Sequence, residues 1–216
     1  MTYKFTQQIF GSIRILGLKT DLMKKTILYA HGFKSSSRSR KVTQLREYIQ
    51  ARRIAASLIT PDLSFEPATA LVQLMGACEN IRTNDLTIIG SSLGGFYANV
   101  LAEKLGCRAV LLNPAITPFE TLRQYLGEQS NIYTGEKFEF NSTHITQLEA
   151  MFVPRITQPS RYLLIVETGD EVLEYSAAVE YYQGVAQRVI PGGDHELKSF
   201  PQHIDAVLQF AGIDTA

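Results

Sequence analysis

Two adjacent serines, Ser91 and Ser92, lie in "TIIGSSLGGF" (87–96), between an apolar run and a cluster of glycines. A serine becomes a nucleophile when a tight strand-to-helix turn pushes its hydroxyl into a cleft, and that turn needs small residues two positions before and two after it. Gly90 and Gly94 flank Ser92 at that spacing, whereas Ser91 would be flanked by the bulky Ile89 and Leu93. Ser92 is therefore the candidate nucleophile. The same glycines would also suit a turn chosen only for close helix–strand packing. A phosphate-binding turn is a poorer reading, because no Lys-Ser/Thr follows the glycines and no G-x-G-x-x-G opens the first strand–helix unit.

A serine hydroxyl needs a base, and the base needs an acid to orient it and stabilise its charge. The chain has four histidines, His31, His144, His195 and His203. In the order serine, acid, histidine the base follows the last strand, which selects His195 in "IPGGDHELKSF", behind two glycines that let the loop curl back. His203 falls in an amphipathic helix and reads as solvated; His144 reads as a cap or a face of a helix in the insertion. The acid belongs at the end of the preceding strand, and "LLIVETGDEV" delivers Asp170 there, with Glu167 and Glu171 as weaker alternatives. Asp194 should point away from its neighbour His195, and Asp62 reads as a turn former after Pro61. An oxyanion would be held by two backbone N–H groups, those of Leu93 and of Phe33. In the loop that carries Phe33, Gly32 permits an unusual backbone geometry and His31 braces by hydrogen bonding.

These residues need a scaffold that collects strand ends. Apolar runs at 26–32, 57–63, 86–92, 107–115, 161–170 and 187–195 read as strands, and most are continuous Val/Ile/Leu runs of the kind a sheet covered on both faces requires. Helical patterns at 37–53, 67–81, 94–106, 176–186 and 201–212 alternate with them; in the last, Ile204, Val207, Leu208 and Ala211 mark one buried face. The fold class is α/β: an open, mostly parallel sheet with helices on both faces. Residues 116–160 break the alternation with two helical stretches, "TPFETLRQYLG" and "THITQLEAMF", around a polar, glycine-containing segment. That insertion reads either as a small helical lid or as a surface excursion. Residues 1–22 are an extension, either an edge strand with Ile9, Ile13 and Ile15 as its apolar positions or a disordered tail, ahead of a single domain at 23–216.

Composition narrows the partners. Lys+Arg and Asp+Glu are both 21, so the chain lacks the basic excess of a nucleic-acid binder. Cys78 and Cys107 have no metal-ligand or redox spacing and read as buried thiols. The N-terminus carries no uninterrupted apolar stretch for a signal core or a membrane span, so a cytoplasmic location without membrane insertion is expected. The balanced charge leaves a homo-oligomer open.

"YAHGFKSSSRSRK", "IIGSSLGGFYANVLAEKLG", "AVLLNPAITPFETLRQYLG", "GDEVLEY" and "GGDHELKSF", in that order, resemble the motif series of the YqiA-like small bacterial esterases, a branch of the α/β-hydrolase superfamily. The likeness spans about residues 25–212 and leaves out 1–22. It implies an α/β-hydrolase core, esterase activity on acyl esters or thioesters, no metal or organic cofactor, and a triad of Ser92, Asp170 and His195. It also implies that the stretch 114–126 is a fixed part of the cleft wall. Phe33, Phe96, Phe119 and Tyr125 either line an acyl pocket or pack in the core. The expected function is a serine hydrolase; an acyltransferase on the same triad and a non-catalytic binding protein on the same fold are the alternatives.

Overall fold

The computed structural model describes residues 24–215. The expected edge strand or tail at 1–22 lies outside the described residues. Eight strands form in chain order: β1 (Lys25–Ala30), β2 (Ala56–Ile59), β3 (Leu86–Ser91), β4 (Arg108–Leu112), β5 (Gly127–Ser130), β6 (Lys137–Phe140), β7 (Tyr162–Glu167) and β8 (Ala186–Ile190). Six of them make one sheet in the order β2-β1-β3-β4-β7-β8, and every neighbouring pair in it is parallel. Parallel pairing needs crossovers. They are supplied by α1 (Arg40–Ala51), α2 (Pro67–Cys78), α3 (Leu93–Leu105) and α6 (Tyr175–Tyr181), with α4 (Pro118–Thr121) and α5 (Ser142–Met151) in the insertion and α7 (Ile204–Phe210) after the last strand.

The period-two rule of a strand distributes the core over both faces. Ile27 and Tyr29 of β1 pack in a cluster with Val42, Leu45 and Ile49 of α1 and Ile204, Val207 and Leu208 of α7. Leu28 and Ala30 face the opposite layer, where Ala70 and Leu74 of α2 and Val100 and Leu101 of α3 lie. The helices thus cover both faces, as the continuous apolar runs require. Each expected strand is present but shorter than its apolar run. β2 stops two residues before Pro61, and β8 stops at Ile190 because Pro191 cannot donate to the ladder and Gly192 and Gly193 turn to φ 72° and 76°. Cys78 and Cys107 are free and buried, and burial raises both thiols, that of Cys107 to about 12.

The insertion between β4 and β7 differs from two helices around a polar linker. Its first helix is only α4, continued by a 3-10 turn over Leu122–Tyr125. The linker is an antiparallel hairpin of β5 and β6, in which Phe138 and Phe140 are buried and Lys137 and Glu139 exposed. Asn141 then caps α5: its side chain accepts from Thr143 N at 3.0 Å, while His144 Nδ1 accepts from Asn141 N at 3.1 Å. His144 is thus a capping residue. His203, expected in solvent, sits half-buried where a 3-10 turn meets α7, and its Nε2 is buried without a hydrogen-bond partner. Among the described residues no helix is long and apolar enough to cross a membrane.

Candidate active site

β3 runs into α3 through one residue, Ser92, held at φ 55° and ψ −122°. A side chain in this region costs about 1–3 kcal/mol and persists only where its surroundings over-determine it. Here they do: Ser92 N donates to Leu112 O at 3.1 Å, and Ser92 O accepts from Gly95 N at 2.8 Å and Ala115 N at 3.0 Å. A Cβ on Gly90 would come within 2.1 Å of Gly94 O, one on Gly94 within 1.9 Å of Ala30 O, and one on Gly95 within 2.6 Å of Pro114 Cβ. Steric demand thus accounts for Gly90 and Gly94, and it adds Gly95, to which the sequence reading gave no role.

Three side chains from distant segments meet at this turn. His195 Nε2 lies 3.1 Å from Ser92 Oγ, and His195 Nδ1 lies 2.9 Å from both Asp170 Oδ1 and Oδ2. The Asp170 side chain is 2% exposed and that of His195 17%. Asp170 Oδ1 also accepts from Val172 N at 2.9 Å and Leu173 N at 2.8 Å, which fixes the carboxylate at the end of β7. A carboxylate accepts only, so Nδ1 carries the imidazole proton and Nε2 offers its lone pair to the serine hydroxyl.

The loop that carries His195 is pinned by Asn113, to which the sequence reading gave no part, and by Glu167 and Glu171, which it weighed only as alternative acids. Glu167, 1% exposed at the end of β7, accepts from Asp194 N at 2.7 Å through Oε2 and from Ser199 N at 3.1 Å through Oε1, with the Ser199 hydroxyl also on Oε1. It buttresses the loop and makes no contact with the imidazole. Asn113 Nδ2 donates to Asp194 O at 3.0 Å and His195 O at 3.3 Å, and its Oδ1 accepts from Glu167 N at 3.0 Å. Glu171 Oε2 accepts from His195 N at 3.0 Å, a bond to the main chain and not to the ring. Asp194 is paired with Lys198. Asn113 ends the apolar run of β4 as Asp170 follows that of β7, and that shared signal would have found it.

Opposite the serine, the loop after β1 carries Gly32 and Phe33. Gly32 does not take a left-handed φ; in this loop Lys34 does, at 56°. The unusual geometry expected of Gly32 is thus replaced by a proximity requirement, since a Cβ there would lie 3.2 Å from Ser92 Cβ. His31 bridges the loop to the next crossover: Nε2 accepts from Leu63 N at 3.0 Å, which leaves Nδ1–H to donate to Gly32 O at 3.0 Å. Burial lowers the His31 pKa below its usual value, so the ring is held neutral. Asp62 Oδ1 accepts from Ser37 N at 2.7 Å, tying the same loop. Leu93, the first residue of α3, has an N–H with no intrahelical acceptor.

Ser92 and His195 open on a cavity of about 510 Å³ walled by Phe33, Leu122, Tyr125, Tyr133 and Val172. The insertion supplies Leu122, Tyr125, Ile132 and Tyr133 to that wall, and its hairpin is tied to the Phe33 loop by Ile132 N to Lys34 O at 2.9 Å and Asn131 Nδ2 to Ser35 O at 2.8 Å. Of the four aromatics singled out in the sequence, Phe33 and Tyr125 line the cavity; Phe96 is buried in the core and Phe119 packs on Phe152 at 5.4 Å between centroids. A neighbouring cavity of about 120 Å³, behind the same loop, reaches neither Ser92 nor His195. Among the described residues no group of three or more His, Cys, Asp or Glu is arranged to hold a metal ion.

The model of the family described as "Uncharacterised protein family (UPF0227)" matches residues 26–212. The chain belongs to that family. The matched span coincides with the motif series, which starts near Lys25 and ends at Gly212. This UPF0227 chain is also similar in fold to solved structures of low sequence identity. The ferulic-acid-bound Est1E from Butyrivibrio proteoclasticus is 19% identical with a TM-score of 0.64, over 89% of this chain and 90% of that one. The esterase domain of a Rhodothermus marinus protein is 16% identical with a TM-score of 0.63, over 90% of each chain. Alpha/beta hydrolase domain-containing protein 10 from mouse is 14% identical with a TM-score of 0.63, over 85% of this chain and 88% of that one. At these identities the likeness is one of fold, and it establishes the α/β-hydrolase architecture for the UPF0227 chain.

Proposed function

We propose that the protein is a serine hydrolase that cleaves small to medium acyl esters or thioesters through an acyl-enzyme on Ser92. The observation that carries this reading is the continuous contact from Ser92 Oγ through the His195 ring to Asp170, at 3.1 and 2.9 Å, on the wall of a cavity large enough for a small ligand. Ser92 Oγ attacks the acyl carbonyl while His195 Nε2 takes its proton, and Asp170 stabilises the imidazolium that results. The tetrahedral oxygen accepts from the N–H groups of Leu93 and Phe33. Collapse of that intermediate breaks the ester bond, and the imidazolium gives its proton to the leaving alcohol or thiol. Water then attacks the acyl carbon as His195 takes its proton, and collapse breaks the Ser92 Oγ–acyl bond, releases the acid and returns the proton from the imidazolium to Ser92. His31 and Gly32 act indirectly, by fixing the Phe33 loop against Ser92; the insertion at 116–160 acts as the roof of the acyl pocket.

The test is labelling with a fluorophosphonate, which requires an activated serine, alongside a panel of p-nitrophenyl esters of graded chain length. Labelling and ester turnover by the wild-type chain, both absent in Ser92→Ala, is the expected result. Equal labelling of the Ser92→Ala variant, or none of either, would overturn the reading.

A further inference from the structure

Part of the wall of the substrate cavity is built from the amino end of α1. Ser39, Arg40 and Lys41 all line the cavity there. Helices place their positive end at the amino terminus, where acidic residues are favoured and cations are not. α1 has no acidic residue in its first turn and carries two cations there, and its N-cap Ser39 makes no capping hydrogen bond. The Ser39 hydroxyl is buried without a partner, in a residue 8% exposed. The first N–H groups of the helix have no intrahelical acceptor either. The Tyr29 hydroxyl, in a residue 1% exposed, lines the same cavity beside Ser91.

The charges on the wall agree. Its cations are Lys34, Arg40 and Lys41 and its one carboxylate is Glu196, whereas the whole chain is neutral. Lys34 is engaged by Gln129 Oε1 at 3.1 Å, and Lys41 Nζ spends one of its three donors on Glu196 O at 2.9 Å. Arg40 is exposed and makes no hydrogen bond or ion pair among the described residues. A positive helix end, an unpaired buried hydroxyl and an excess of cations converge on a cavity that the nucleophile also enters.

We propose that the ester substrate carries an anionic group, a carboxylate or a phosphate, that docks at the amino end of α1 on the Ser39 hydroxyl and the first-turn N–H groups, under the charge of Arg40 and Lys41. This inference rests on the hydrolase reading, and assigns α1 the choice among esters. The apolar wall of Phe33, Leu122 and Tyr125 takes the uncharged portion. The anion sits either at the far end of the acyl chain or on the leaving alcohol.

Two ester pairs distinguish those positions. p-Nitrophenyl hemiglutarate against p-nitrophenyl valerate puts the charge on the acyl end, and 4-carboxyphenyl valerate against its methyl ester puts it on the leaving group. The readout is the ratio of kcat/KM within each pair. At low ionic strength at least one anionic ester should be preferred about tenfold, and the preference should shrink as salt rises from about 10 mM to about 0.5 M. Ser39→Ala and Arg40→Gln should each reduce it about threefold or more. Neither change disturbs folding contacts, because the Ser39 hydroxyl bonds nothing and Arg40 is exposed. If Ser92 is labelled and the neutral esters turn over, but neither anionic ester is preferred or the preference survives in both Ser39→Ala and Arg40→Gln, the anion site is overturned and the hydrolase stands. Failure of Ser92 to label at all would overturn both.

Discussion

The carboxylate of Glu167 holds the backbone N–H of Asp194 at 2.7 Å, one residue before the imidazole that contacts Ser92. Gly193 makes this approach possible: a Cβ there would fall 2.0 Å from Glu167 Oε2. The pair of glycines in "IPGGDH" therefore serves less to loosen the loop than to let its backbone close onto a buried acid. Together with Asn113, which grips the carbonyls of Asp194 and His195, Glu167 turns the free end of β8 into a fixed mount for the ring.

Glu167→Gln tests that mount. The amide keeps the size of the carboxylate but loses its charge and turns one acceptor into a donor, facing either Asp194 N or the Ser199 pair. Losing a hydrogen bond to a charged acceptor costs about 1.5–3 kcal/mol. Urea denaturation should register that loss. Turnover should fall in kcat more than it rises in KM, since the ring's position is disturbed and not the cavity wall; unchanged stability would show that Glu167 is not a support.

Glycine substitutions separate steric demand from simple tolerance. Gly94→Ala drives its methyl into Ala30 O at 1.9 Å and should abolish soluble folded protein. Gly76, inside α2, has nothing within 4 Å of a Cβ and no left-handed φ. Gly76→Ala should stabilise by about 0.5–1 kcal/mol, raising Tm by about 2 °C as read by differential scanning calorimetry.

Ser92→Gly and Ser92→Ala remove the same hydroxyl but treat the backbone differently. Alanine keeps a Cβ at φ 55°, whereas glycine relieves about 1–3 kcal/mol of strain and gives back about 0.5–1 kcal/mol in unfolded-chain entropy. The glycine variant should be the more stable of the two by about 1 kcal/mol in denaturant titrations. Equal stability would mean that the turn at Ser92 stores no strain.

The site was legible where chemistry is tied to local pattern. Gly90 and Gly94 announce the turn at Ser92, Asp170 follows an apolar run, and His195 follows a glycine pair at the end of the last strand. Asn113 and Glu167 stand at the ends of apolar runs, which marks them as polar strand ends, but their hold on the His195 loop was not legible, because it runs to groups up to 82 residues away that no spacing encodes. The hairpin of β5 and β6 was hidden by its polarity: "GEQS" has no apolar alternation, and only the alternate burial of Phe138 and Phe140 in "KFEF" carries a strand signal. Gly32 was singled out for backbone freedom, whereas the structure shows closeness to Ser92, a tertiary fact.

His31 predicts a pH dependence of stability. Burial lowers its pKa in the folded chain below the 6.5 of the free side chain, so the unfolded chain binds the proton first as pH falls. The contribution is fully present above about pH 6.5 and is lost as pH drops from there through the lower folded value. His144 and His203 are shifted the same way by burial and add to the slope. His31→Gln keeps an acceptor for Leu63 N and removes the titration. The variant should lose less stability than the wild type between about pH 7 and pH 5 in urea denaturation, and an identical slope would remove His31 from the account.

Asp170 and Glu171 are adjacent carboxylates on the same loop, and the structure divides them sharply. Asp170 reaches the ring at 2.9 Å, whereas Glu171 reaches only the main-chain N–H of His195 at 3.0 Å. Asp170→Asn leaves an amide whose N–H can face Nδ1, favouring the tautomer that carries its proton on Nε2, the wrong nitrogen for accepting from Ser92. In a serine triad that error lowers kcat by about 10⁴. Glu171→Gln retains an acceptor for the main-chain N–H and should lower kcat by less than about tenfold, the scale of one weakened hydrogen bond. Steady-state kinetics on one p-nitrophenyl ester decides between the two residues, and comparable losses in both variants would mean that the acid is shared across the loop.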